Sequence, residues 1–112
     1  AELEYFRIDS ATASTVTLSW ETVSETDHFG FELVRASSAN IAAGEVIHSV
    51  SGSNPDGAVY GFVDTPTGAG PWHYWLVEVG TNGGRTVMGY ATTALTGQAV
   101  STRLFLPSLL RR

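Results

Sequence analysis

The chain has 112 residues, enough for one domain with a single core, and its 43% hydrophobic and 11% aromatic content excludes a disordered linker. Six arginines, no lysine and eleven acids leave a net charge of −5, so there is no basic patch of the kind that binds nucleic acid. The uncharged stretch 86–102, apart from its flanks, is too rich in Gly, Gln and Thr to span a bilayer, and the absence of cysteine excludes disulfides and thiolate metal sites.

In chain order the pattern is strands and turns. Leu3–Ile8 supplies a first strand. Thr15–Glu21 alternates strictly, with Val16, Leu18 and Trp20 on one face and Thr, Ser and Glu on the other, which predicts a half-buried antiparallel strand. Phe29–Arg35 follows with Phe29, Phe31 and Leu33 facing in, and Ser38–Ala43 is the one place for a helical turn. A weaker strand is predicted around Val46, Ile47 and Val50 in 45–50, then Val59–Val63 with Tyr60 and Phe62 on a shared face. Trp72–Val79 is the strongest β segment, with Trp75, Val77 and Val79 assigned inward, and Arg85–Leu95 comes last. Asn54-Pro55-Asp56-Gly57 and Thr81-Asn82-Gly83-Gly84 are strong turn signals, the second a hairpin joining the last two strands. Seven strands at this spacing predict an all-β, antiparallel Greek-key sandwich.

The run from Val16 to Arg35, with a Trp closing one strand and Gly30-Phe31-Glu32-Leu33 opening the next, resembles the fibronectin type III-like domains of secreted bacterial proteins. Val59–Thr65 and Tyr74–Val79 resemble the later strands of those domains, and the likeness covers roughly residues 3–96. It implies an Ig-like/fibronectin III-like sandwich over 1–99 acting as a spacer, adhesive or binding module, with no shared active site. The start at Ala1 fits a mature secreted chain and equally a segment cut from a longer one, so a secreted or cell-surface location is the expectation.

Candidate chemistry is sparse. His28 beside Asp27, with Ser24 and Glu25 nearby, offers hydrolase residue types but no nucleophile elbow or oxyanion hole, and a solvated loop accounts for them. His28, His48 and His73 match no zinc spacing, and Glu21, Glu25, Asp27, Asp56 and Asp64 match no calcium loop. The sequence therefore predicts no enzyme, no metal and no cofactor. Trp72 and Tyr74, placed by alternation on an outer face or rim, are the candidates for stacking on an extracellular polysaccharide.

The remaining signal is the tail, 100–112, predicted as an extra C-terminal strand. Five of the seven residues from Leu104 to Leu110 are large and apolar, none is acidic, and Arg103, Arg111 and Arg112 give the segment a charge of +3. All eleven acids lie between Glu2 and Glu78, so residues 1–100 carry −8. β alternation places Leu104, Leu106 and Leu110 on one face and Phe105 and Leu109 on the other, a pattern for burial on both sides. Extended, the segment reaches about 40 Å, and burying five such side chains favours association by roughly 8–12 kcal/mol before entropic costs. The expectation is a structural subunit that docks Leu104, Phe105, Leu106, Leu109 and Leu110 onto a neighbouring copy, with Arg103, Arg111 and Arg112 as charge partners, building a head-to-tail filament or surface layer. Folding of the tail along its own sandwich edge is the plainer alternative, and an accessory adhesion or carbohydrate-binding module of a larger secreted protein is the alternative function.

Overall fold

The computed structural model describes residues 1–25, 28–52 and 54–96, without the side chains of His28 and Phe29. The described chain forms β1 (Glu2–Ala11), β2 (Val16–Ser24), β3 (His28–Ala36), a 3-10 turn (Ile41–Ala43), β4 (Glu45–Ser51), β5 (Val59–Asp64), β6 (Trp72–Gly80) and β7 (Arg85–Thr93). Each lies where hydrophobic alternation placed a strand, and the short turn falls inside Ser38–Ala43, capped by the Asn40 side chain on the Ala42 amide.

Two antiparallel sheets face each other, one ordered β1-β2-β5 and the other β4-β3-β6-β7. β2 is the central strand of the first sheet. Val16, Leu18, Trp20 and Thr22 are buried while the residues between them are only half-buried, as strict alternation requires of a strand with one face on the core. Across the core they meet Phe31 and Leu33 of β3 and Tyr74 and Leu76 of β6. Trp20 is the hub: Tyr60 stacks on its ring at 5.3 Å, and Phe31 and Phe6 meet it edge-on at 6.1 and 6.5 Å. The β6–β7 hairpin turns through Gly83 at φ 85°, closed by the Gly83 amide donating to the Gly80 carbonyl.

β6 corrects the expected facing. Tyr74 and Leu76 point into the core, and Trp75 and Val77 lie on the opposite face with Val34, Ala36 and Ile41. Every position from Trp72 to Val77 is apolar or aromatic except His73, so alternation favours neither face. Register decides instead: Leu76 pairs with Leu33, an inward residue, and Trp75 pairs with Val34, an outward one. A central strand covered on both sides is apolar on both sides.

The four outer strands differ in regularity. The pairing of β1 with β2 is interrupted three times, and β4 and β7 each carry one register shift against their neighbours. β5 runs against β2 from Val59 to Asp64 with none. On one flank β1 and β7 approach closely, since a Cβ on Gly89 would lie 2.9 Å from the Phe6 ring.

Candidate functional site: polar clusters, the outer sheet face and the comparisons

Two buried polar clusters stand out, and neither was legible from motif spacing. In the first, the Glu25 carboxylate is 1% exposed and accepts from the Thr22 hydroxyl at 2.7 Å, the Tyr60 hydroxyl at 2.6 Å and the Asn54 amide at 2.9 Å. It ties the loop before β5 to the end of β2. The Thr22 hydroxyl in turn accepts from the Ala58 amide at 2.9 Å. In the second, one guanidinium nitrogen of Arg35 donates to both oxygens of Asp64 at 2.7 and 2.8 Å, and the Tyr74 hydroxyl donates to the same carboxylate at 2.7 Å. Asp64 is 6% exposed. The residues converge from β3, β5 and β6, so the cluster joins the two sheets at one end of the core.

Both clusters place a neutral phenol against a carboxylate, and this has a pH consequence. Burial first, then the hydrogen bonds to Glu25 and Asp64, hold the Tyr60 and Tyr74 hydroxyls well above the ordinary value of 10.0. The unfolded chain releases those protons near pH 10 while the folded chain keeps them, so above that pH the unfolded state binds fewer protons. Stability from the two tyrosines is complete below about pH 10 and falls as pH rises beyond it. In an alkaline titration, tyrosinate absorbance from two of the four tyrosines is expected to appear only together with loss of the β-sheet dichroism. Complete titration of all four near pH 10 with the fold intact would refute the assignment.

The polysaccharide candidates separate. Tyr74 is 0% exposed, its ring among Val16, Leu18 and Leu95, so the placement on an outer face is overturned and no ring face is open to a sugar. Trp72 is half-buried against the same cluster, its indole N–H donates to the Gly68 carbonyl at 3.0 Å, and the Arg35 guanidinium lies 5.2 Å from its ring. On the four-stranded sheet, the described aromatic residues on the outer face include His73, Trp75 and Tyr90. His73 Nδ1 lies 2.6 Å from the Tyr90 hydroxyl, the two rings are within 19° of parallel, and Tyr90 is 47% exposed. Beside them a groove of about 400 Å³ is lined by Val34, Ile41, Gly44, Val46, Val77 and Val87. Val46, Val34, Trp75 and Tyr90 are successive partners across all four strands, an apolar row on the face away from the core.

His48 and His73 are engaged separately: His48 stacks on Phe62 at 4.3 Å, and His73 meets the Tyr90 hydroxyl. Among the described residues no three His, Asp or Glu side chains gather as a metal site would require. Glu25 and Asp64, both calcium candidates by residue type, are occupied by hydrogen bonds to other side chains. The tail residues Arg103, Leu104, Phe105, Leu106, Leu109, Leu110, Arg111 and Arg112, and with them Asp27, lie outside the described residues.

No family model matches the chain, and no curated protein sequence matches it. Among solved structures the fold is similar to part of a pectate lyase, Pel3 of Pectobacterium carotovorum, with a TM-score of 0.62 at 19% identity. The match covers 88% of this chain and 28% of the lyase chain. At that identity the likeness is one of fold.

Proposed function

We propose that the chain is a fibronectin type III-like module without catalytic function, exported from the cell, which assembles head to tail by docking its C-terminal segment on a neighbouring sandwich. The fold assignment is supported by the order β1-β2-β5 facing β4-β3-β6-β7, a Greek-key relative of the immunoglobulin arrangement. It is also supported by Tyr74, near the start of β6, whose hydroxyl reaches back to Asp64 at the end of β5 in the manner of a tyrosine corner. The observation that carries assembly is the tail: five large apolar side chains between Leu104 and Leu110, flanked by three arginines, on a body carrying −8. Such a segment is stable in water only when covered, and the charge split favours an acidic sandwich as its cover.

Sedimentation of the full chain beside its Leu106→Asp variant tests this. The wild type is expected to form large oligomers or filaments, visible by negative stain, and Leu106→Asp to remain a folded monomer. Equal sedimentation of the two would remove the assembly reading. A second reading draws on the lyase, in which a fold of this kind makes up 28% of a pectate-acting chain: an accessory module of a larger carbohydrate-active protein. It places the sugar contact at the exposed Tyr90 and the half-buried His73 and belongs to a monomer that is retained on a pectate column.

A further inference from the structure

The exposed edge of β5 has the features of a strand-addition site. β5 is the last strand of the three-stranded sheet. The Thr22 amide donates to the Ala58 carbonyl, so by antiparallel alternation the backbone groups of Tyr60 and Phe62 face β2. Those of Val59, Gly61 and Val63 face outward, and among the described residues they meet no further strand. Edge strands are ordinarily blunted by a bulge, a lysine, a proline or an inward-pointing charge. The edges formed by β1, β4 and β7 have register shifts, but β5, Val-Tyr-Gly-Phe-Val-Asp, has no shift, no proline and no lysine, and its one charge is the Asp64 already bound by Arg35. Val59 and Val63 are 67% and 54% exposed beside it.

We infer that this edge receives the segment Leu104–Leu110 of a second copy, as an added antiparallel strand centred on Leu106 opposite Gly61. The inference rests on the assembly reading above and names its docking site. Three features of the two sequences fit together. Pro107 has no amide proton, so it must occupy a position facing away from β5. That puts Leu104, Leu106 and Ser108 at bonding positions, and the inferred register sets them opposite Val63, Gly61 and Val59, on the outer face. Paired residues share a face, so Leu106 fills the notch over Gly61 between the two exposed valines, and Phe105 and Leu109 turn inward beside Phe62 and Tyr60. Apolar residues on both faces of the tail thus meet apolar residues on both faces of the edge. The same register brings Arg111 toward the exposed Asp56 at the other end, whereas a parallel strand would lose that pairing. Thr96, the last described residue, donates to the Thr12 and Ala11 carbonyls beside the β1–β2 turn, at the edge of that sheet opposite β5.

The test uses the full chain, its Leu106→Asp variant and two edge variants, read by sedimentation velocity with far-ultraviolet dichroism for fold. Gly61→Pro deletes the outward amide at the centre of the pairing, and a Cβ there meets nothing nearer than the Leu18 carbonyl at 3.6 Å. Val63→Lys sets a charge against the apolar strand and tests the edge without touching the backbone. Both are expected to stay folded and to raise the half-assembly concentration by about tenfold or more, the scale of one or two backbone hydrogen bonds. If the wild type assembles, Leu106→Asp does not, and a folded Val63→Lys assembles like the wild type, the tail docks elsewhere and the β5 edge is wrong. If all four chains are monomeric, the assembly reading fails and takes the edge with it.

Discussion

Asp64→Ala is expected to destabilise the protein by about 3–5 kcal/mol in urea unfolding, the range for breaking a buried ion pair from one side. The variant leaves the Arg35 guanidinium without its carboxylate at the inter-sheet boundary and the Tyr74 hydroxyl without an acceptor in a fully buried site. Glu45, 3.7 Å from Arg35 and largely exposed, is too solvated to take over. Replacing all three groups, Arg35→Met, Asp64→Leu and Tyr74→Phe, removes both the unpaired cation and the unpaired hydroxyl and is expected to recover most of that loss, because apolar groups replace the paired polar ones at little net cost. An Asp64→Ala protein within about 1 kcal/mol of wild type would mean the cluster is wet and of minor weight.

Glu25→Ala is the second large effect, with a loss of about 2–4 kcal/mol expected from removing the acceptor of one buried and two part-buried donors. The Thr22 hydroxyl, Tyr60 hydroxyl and Asn54 amide all donate to this one carboxylate, and the Thr22 hydroxyl keeps only a long 3.4 Å contact to the Ala58 carbonyl besides. The consequence is also local. The 52–57 loop leads directly into β5, so hydrogen exchange at the Asn54 amide is expected to rise more than exchange at Leu33 or Leu76 in the core. Uniform acceleration across both sites would indicate that Glu25 supports global stability alone. Because Tyr60 stacks on Trp20, loosening the loop should also alter the tryptophan fluorescence.

Much of the architecture was legible in the sequence because it is local. Thr15–Glu21 has a polar residue at every second position, so one face only can be buried, and Val16, Leu18 and Trp20 are. Asn54-Pro55-Asp56-Gly57 and Thr81-Asn82-Gly83-Gly84 carry their own turn chemistry. The candidate site was less legible. Alternation puts Tyr74 at the surface because β6 has aromatic residues on both faces, and the signal that corrects it, the pairing of Leu76 with Leu33, belongs to two strands more than forty positions apart. Glu25 and Asp64 looked like loop acids because their partners are dispersed, at 22, 54 and 60 for one and at 35 and 74 for the other.

The sequence by itself determined the seven strands of the described residues, the positions of the turns, the buried faces of β2 and of most of β3, and the division of charge between an acidic body and a basic, apolar tail. These follow from a period of two and from turn-forming residues, which act within a few positions of each other. Only the tertiary structure decided which face of β6 enters the core, which carboxylates close the ends of the sandwich, and that β5 is an outer strand without a bulge. Each of these is a matter of pairing between distant segments. Register and sheet order depend on which partners bury the most surface and satisfy the most buried polar groups, a balance struck only when all seven strands are assembled.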